Sequence, residues 1–361
     1  YGKERSNIEV YKLLESQEDF DIKVLINKKS DNRIIDYTKN LDTLSFLYPN
    51  RSYLKFRYLM YIKELIISNI VLFFLLLKNK PEYIMICDDK SLYDFYIPFL
   101  FTKAKIVYRL GDEPAYDKLM LPQYNRYVWN RLVVKKVHKV VSISKYIKRK
   151  LLESGRSNSL DTVIYNLPPE RSEESKQKMQ KVDGITFGFL GQIKAHKGVD
   201  KFVDAGLNLI NEKQKINLLL AGSLSYEASF SNLLLNKKND RVTFLGEIED
   251  ISSFFNSIDI LCVPTITEEP LGNVLVEAKK YSVPVIIFKS GGMPELIDHK
   301  IDGYICKEKT TDSLQEAMTY YIQTPRLIEE HGTNSFKSIS KLEIGFEYYK
   351  EKWMQVFNNI D

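Results

Sequence analysis

Residues 268–277 read EEPLGNVLVE. Two carboxylates, Glu269 and Glu277, flank a Pro-Leu-Gly turn and an apolar run. The preceding DILCVPT reads as a short buried strand. A strand that turns tightly into a helix leaves the first amides of that helix without carbonyl partners, at the positive end of its dipole. That is a ready anion site. Pro270 suits a first helical position, where a missing N–H costs nothing, and would turn the amides of Leu271, Gly272 and Asn273 outward. An acid at the rim would repel a bare phosphate, so Glu269 suits neutral hydroxyls beside one. Glu277, five residues past Gly272, would reach a second hydroxyl pair. Taken as a pair alone, the two acids are better explained by helix-start charge preference for Glu269 and a solvated helix face for Glu277.

Two further loops carry related chemistry. In GFLGQIKAHKG (188–198) a strand ends at Gly191, and a loop with Gln192, Lys194, His196 and Lys197 passes through Gly198 into a helix. Glycine allows close backbone approach, and a lysine near a helix start suits phosphate. Surface loops often hold lysines, so this loop is weak by itself. In KSGGMPELI (289–297) two glycines follow a strand before Pro294 and Glu295 enter a helix, which is also ordinary turn chemistry.

Such loops need strands and helices in alternation to hold them, and the chain supplies these. Strands are expected at 21–27, 82–88, 104–110, 139–144, 162–166, 185–191, 216–222, 242–246, 259–264, 283–288 and 303–306. Helices are expected at 6–16, 92–101, 199–213, 252–258, 272–281, 312–323 and, by amphipathic spacing, 344–360. This rhythm predicts an α/β fold of parallel sheets wrapped by helices. At 361 residues, two domains are expected. NLPPERSEESKQKMQKVDG (166–184) opens with two prolines, is charged and almost free of apolar residues, and reads as a linker.

Composition narrows the class. Apolar residues make up 44% and charged residues 27%, as in an ordinary globular protein. The three cysteines lie far apart without metal-type spacing, which suggests a reducing compartment. The chain opens on the polar YGKERSN without an initiator Met, and no signal peptide is visible. The longest apolar run, Leu65 to Leu77, is interrupted by Ser68 and Asn69; it reads as too short to span a bilayer and as a buried core helix. Residues 1–167 hold 29 Lys/Arg against 19 Asp/Glu, and the remainder 23 against 28. The excess is dense at 131–152, where the reading is a solvated face or attraction to an anionic surface. No nucleic-acid-reading motif is present. The one Asp-x-Asp, Asp19 to Asp21, reads as a solvated turn, so no metal is expected.

Together the three loops resemble the nucleotide-sugar domain of family 4 glycosyltransferases, of the GT-B fold. The pattern Glu-Pro-x-Gly-(four residues)-Glu-Ala stands as EPLGNVLVEA (269–278), followed by SVPVI and GGMPELI…DGYI, and preceded by FLGQIKAHKGVDKFVDA, AGS (221–223) and VTFLGEIED, all in family order. The resemblance covers nearly all of residues 185–310. Less specifically, YGKERSNIEVYKLL resembles the glycine-rich loop and first helix of the family, which would put Gly2 in a loop facing the cleft and leave the first strand missing. The resemblance implies two Rossmann-like doubly wound domains facing a cleft: 1–167 on the acceptor side, joined by a helix at 345–361, and 168–344 binding the donor.

Carried over residue by residue, it implies that Lys197 neutralises a diphosphate and Glu269 binds donor-sugar hydroxyls. Leu271, Gly272 and Asn273 would supply amides, Glu277 would bind the ribose, and backbone from Gly246 through Glu247 to Ile248 would receive the base. Ser223 and Gly191 would lie near the phosphates. Two departures stand out. Gln192 replaces an Arg that family members usually carry, and Lys194 is the substitute at hand. Gly111 replaces a His often credited with catalysis, leaving Asp112, Glu113 or Arg109 to take its role.

The implied reaction moves a sugar, with retention, from a nucleoside diphosphate sugar to a glycan or lipid-linked glycan acceptor in cell-surface polysaccharide biosynthesis. It needs no cofactor. The implied place is cytoplasmic, with the basic N-terminal domain at an anionic inner membrane face. Two rivals stand beside it: a nucleotide-sugar epimerase on the same fold, and a non-catalytic nucleotide-sugar-binding subunit, which Gly111 and Gln192 favour. A nicotinamide dehydrogenase is disfavoured, because no G-x-G-x-x-G follows a strand.

Overall fold

The computed structural model describes residues 2–27, 38, 42–46, 48, 49, 58–114, 116, 121–167, 183–224 and 239–358. Most of the linker read at 166–184 lies outside them. The chain divides into two compact units, Tyr1–Tyr165 with Phe346–Asp361, and Asn166–Gly345.

The first unit opens with a helix, Gly2–Glu15. A parallel pair follows, β1 (Val24–Asn27) and β2 (Thr43–Phe46). Then comes a 22-residue helix, Tyr58–Asn79. Its four-stranded parallel sheet runs in the order β3 (Tyr83–Ile86), β4 (Lys105–Leu110), β5 (Lys139–Ser142) and β6 (Thr162–Val163). Strands β4 and β5 are Val/Ile-rich and buried almost throughout, as expected of a parallel sheet covered on both faces. The stretch expected to be one helix at 92–101 is two, Asp89–Asp94 and Tyr96–Phe101. Helix Lys145–Glu153 starts where the Ser144 hydroxyl accepts from the Ile147 amide at 3.1 Å.

The last helix, Phe346–Asn358, belongs to this unit. It buries Tyr349, Trp353, Val356 and Phe357. The Phe357 ring meets Phe20 and Tyr83, and the Lys139 ammonium donates to the carbonyls of Gln355 and Val356 at 3.4 and 3.3 Å. A buried ion pair pins the β5–β6 corner. Arg156 grips both carboxylate oxygens of Asp161 at 2.9 Å and donates to the carbonyls of Val133 and Val137.

The expectation of a buried core helix at 65–77 is corrected here. The Tyr58–Asn79 helix is long and apolar enough to cross a membrane by length and composition alone. It buries only Tyr61, Ser68 and Leu72.

The second unit holds six parallel strands: β7 (Ile185–Leu190), β8 (Ile216–Ala221), β9 (Val242–Phe244), β10 (Ile260–Val263), β11 (Val285–Phe288) and β12 (Gly303–Cys306). Their spatial order is β9-β8-β7-β10-β11-β12. Counted within the unit this is 3-2-1-4-5-6, the doubly wound dinucleotide-fold order. The core forms between the sheet and the helices Val199–Asn211 and Thr311–Gln323, around Phe187, Phe202, Leu218, Ile286 and Tyr321. Helix Arg326–Lys341 closes another side, where the buried Lys279 ammonium meets Asp302 and the Ser338 hydroxyl, each at 2.8 Å.

Candidate functional site

In the second unit the strand order reverses between β7 and β10. Ligands of open parallel sheets bind outside the carboxyl ends of the strands at such a switch point. The loops there are Gly191–Gly198 and Thr265–Gly272, two of those singled out by composition.

Their approach is set by glycine. Gly198 sits at φ +70°, and a Cβ there would be driven into the Pro264 carbonyl. No other residue lets the helix after β7 start so close to the end of β10. The Ile266 amide then donates to the His196 carbonyl at 2.9 Å. The two loops are stitched together, and the Lys197 ammonium lies 2.5 Å from the Glu269 carboxylate. Both side chains are about one-quarter exposed. Lys197 is therefore a paired ammonium, engaged by the acid expected to hold hydroxyls beside it.

A second close approach shapes the β7–β8 side. Gly222 has φ +143°, and a Cβ on it would strike the Gly191 carbonyl. Its amide donates to the Gly246 carbonyl at 2.7 Å, and the Ile193 amide donates to that of Ser223 at 3.0 Å. The ends of β7, β8 and β9 thus form one rim bearing Gly191, Ser223 and Gly246. Glu247 is exposed beyond it and Ile248 half-buried. Gln192 is exposed, and Lys194 is half-buried at the start of the short turn Ala195–Lys197.

The third loop supports the second. The Gly292 amide donates to the Glu269 carbonyl at 2.8 Å, and the Gly291 amide to the Glu268 carboxylate. Lys309 donates to the Ile266 carbonyl at 2.7 Å, to Glu268 at 3.0 Å and to the Ser290 hydroxyl at 3.3 Å. Glu268 and Lys309 fasten the loop, while the neighbouring Glu269 side chain turns to Lys197. Sequence reading missed Glu268, Ser290 and Lys309 as parts of this assembly. Lys309 lies 41 residues from Glu268, and no local spacing joins them.

One expectation is corrected. The helix runs Asn273–Lys280 with Gly272 as its left-handed cap at φ +86°, so Pro270 lies in the loop and not at the first helical position. The first-turn amides are those of Asn273 and Val274, and Leu271 is buried beneath them. The Asn273 side chain accepts from Asn166 at 2.6 Å. Glu277 is half-buried one turn in.

Gly2, Arg109, Asp112 and Glu113 belong to the first unit. Gly2 is the first residue of a helix and not part of a loop. Arg109 is 2% exposed and donates to the side chains of Asn7 and Ser6, so it fastens the first helix to the end of β4. Glu113 accepts from the Tyr146 hydroxyl, and Asp112 is exposed. Among the described residues, no group of three or more His, Cys, Asp and Glu side chains could hold a metal ion.

Residues 170–338 match the family described as Glycosyl transferases group 1. This stretch carries a glycosyltransferase group 1 domain. The matched segment contains every loop of the rim described above. The chain is 27% identical over 206 residues to the capsular polysaccharide biosynthesis glycosyltransferase CapM of Staphylococcus aureus, covering 56% of this chain and 54% of that protein. It is 25% identical over 224 residues to an uncharacterized glycosyltransferase of Haemophilus influenzae, covering 62% of each. The chain thus spans between half and two-thirds of the length of these relatives. Among solved structures, a glycosyltransferase from Rickettsia africae superposes with a TM-score of 0.81 at 18% identity, covering 99% of this chain and 94% of that one. Anabaena HepE in complex with UDP superposes with a TM-score of 0.79 at 19% identity, covering 99% and 96%. The fold is GT-B, with two Rossmann-like domains, and the group 1 domain is the second of them.

Proposed function

We propose that this protein is a retaining, family 4 glycosyltransferase that moves a sugar from a nucleoside diphosphate sugar to a glycan or lipid-linked glycan acceptor. The observation that carries the reading is the meeting of Lys197 and Glu269 at the switch point of a 3-2-1-4-5-6 sheet, inside the group 1 segment. CapM and HepE support it by what is stated of each: capsular polysaccharide biosynthesis for one, UDP binding for the other.

Each residue then has a task. The donor diphosphate lies against the Gly191–Gly198 loop and the amides at the start of the Asn273–Lys280 helix. Lys197 supplies the positive charge, Glu269 accepts from sugar hydroxyls, and Glu277 accepts from the ribose. The Gly246–Ile248 backbone receives the base. As the bond to the anomeric carbon breaks, charge grows on the departing phosphate oxygens. Helix-start amides held in place by the fold stabilise that charge without reorganising, and the Lys197 ammonium adds to them once it turns from Glu269 to the diphosphate. No carboxylate of the donor loops is assigned as a covalent nucleophile, so retention is read as attack by the acceptor hydroxyl from the face the diphosphate leaves, with the departing phosphate oxygen taking the hydroxyl proton. No cofactor or metal takes part in this reading.

A thermal-shift screen against UDP-, GDP- and ADP-sugars tests it first. One donor class is expected to raise the melting temperature, and mass spectrometry of the stabilising donor with an acceptor pool should show glycosylated product. Conversion of the donor without acceptor would mark an epimerase. Binding without turnover on any acceptor would mark a non-catalytic subunit. No shift with any donor would overturn the donor site itself.

A further inference from the structure

The Tyr58–Asn79 helix is amphipathic in the wrong sense for a protein surface. A surface helix normally turns its apolar stripe inward and its polar residues to water. Here Tyr61, Ser68 and Asn69 face in, while Lys63 near the start and Lys78 and Asn79 at the end are exposed. The Tyr61 hydroxyl donates to the Asp94 carboxylate at 2.9 Å, and the Asn69 amide donates to the Asp94 carbonyl at 2.8 Å. Ser68 is fully buried and donates to the Glu64 carbonyl. Facing out are Leu59, Ile66, Ile70, Phe74 and Leu77, with Leu59 81% and Phe74 64% exposed. The stretch from Leu65 to Leu77 carries no charged residue. The neighbouring helix Tyr96–Phe101 extends the patch with Ile97 and the 69%-exposed Phe101. Single exposed apolar residues are ordinary, but a contiguous face of this kind marks a binding surface.

Charge around the patch points to what covers it. Both helices end where β3 and β4 begin, so Lys78, Lys80 and Lys103 stand together at one end of the face. Lys136 joins them: its ammonium donates to the Thr102 carbonyl at 2.8 Å, and Lys135 precedes it. Within these three strand approaches the five lysines are accompanied by Glu82, and Asp19 and Asp21 stand near Asn79 and Glu82, which leaves the lysines in excess. A bilayer with anionic headgroups offers hydrocarbon to the face and phosphate to the rim. A second copy docked through the same face would set this basic rim against itself.

We infer that the outer face of the Tyr58–Asn79 helix, with Ile97 and Phe101, seats the N-terminal unit on an anionic lipid surface. The helix lies in the interface and does not cross the bilayer. Its inner side is committed to Asp94 and to the buried Tyr61, Ser68 and Leu72, so lipid cannot surround it. This inference does not depend on the donor site.

Co-sedimentation of the purified full chain with lipid vesicles tests it. Vesicles of phosphatidylcholine with one-third phosphatidylglycerol should bind at least tenfold more tightly than phosphatidylcholine alone, and added salt should weaken that binding. Ile70→Ser with Phe74→Ser should cut binding at least tenfold. Both side chains are exposed, so the melting temperature should hold, and circular dichroism checks this. Lys78→Glu with Lys103→Glu should abolish the preference for anionic lipid. Binding unchanged in the Ile70/Phe74 variant would overturn the inference. So would sedimentation equilibrium showing a stable dimer that the same two substitutions dissociate, because a second copy would then be the occupant.

Discussion

Exchanging Glu269 for glutamine separates the two tasks proposed for the ion pair. In the free protein the Lys197 ammonium is held 2.5 Å from the Glu269 carboxylate. At that distance the Coulomb attraction is about 1.7 kcal/mol even with the dielectric of water. Side-chain entropy and salt screening reduce the net value to about 1 kcal/mol. A diphosphate reaching Lys197 must compete with this partner and approaches an anion as it does so. Removing the carboxylate therefore frees the lysine. A nucleoside diphosphate without its sugar should bind Glu269→Gln about fivefold more tightly than the parent, which is about 1 kcal/mol at room temperature. The intact nucleotide sugar should instead bind more weakly, because the carboxylate that accepts from its hydroxyls is gone. Lys197→Met should weaken both ligands by about 10- to 100-fold, the range of a hydrogen bond to a charged group. Isothermal titration of the three proteins with nucleotide and nucleotide sugar reads all six affinities. If Glu269→Gln weakens the bare nucleotide as much as Lys197→Met does, Glu269 does not compete with the phosphates and the reasoning fails. Equal effects on nucleotide and nucleotide sugar would fail it too, because the sugar would then lie away from Glu269.

Two other substitutions test the packing beneath the sites. Gly222→Ala combines a positive φ with a Cβ driven into the Gly191 carbonyl, and should cost the second unit about 2–4 kcal/mol and depress its melting temperature. A melting curve like the parent's would show that β7 and β8 can part there at little cost. Arg156→Ala strands the buried Asp161 carboxylate and should cost about 3–5 kcal/mol in urea unfolding, whereas Arg156→Met with Asp161→Asn should recover much of it.

Strands were the most legible elements because burial on both faces demands continuous apolar runs, and runs such as KIVYRL and ILCV carry that pattern openly. TLSF of β2 did not stand out, being four residues with a polar alternate. Helix Arg326–Lys341 was missed: its fully buried positions are His331, Gly332, Ser335 and Ser338, and its apolar Leu327 and Ile328 are only partly buried. A small-residue face lets backbones close in, and hydrophobic periodicity is blind to it. The loops at the switch point were legible for a related reason. Close approach of three strand ends leaves glycine as the tolerated residue at fixed points, and those glycines punctuate the sequence. What joins the loops was not legible: the pairing of Lys197 with Glu269 spans 72 residues, and the fastening by Lys309 spans 41.

The Tyr58–Asn79 helix marks the limit of such reading. Periodicity tells that two faces of a helix differ, and convention then sends the apolar one inward. Which face is buried depends on what lies opposite. Here that is Asp94, 33 residues beyond Tyr61 and 25 beyond Asn69. Burying a polar group without a partner costs free energy, and a buried carboxylate must recruit donors. The Asp94 carboxylate takes the Tyr61 hydroxyl and its backbone carbonyl takes the Asn69 amide, and together they fix the rotation of the helix and leave Ile66, Ile70, Phe74 and Leu77 outward. The exposed apolar face thus follows from what the helix meets at residue 94, and Asp94→Leu, which removes the partner of Tyr61 but keeps the carbonyl that Asn69 binds, should loosen the rotation of this helix before it disturbs any strand of the sheet.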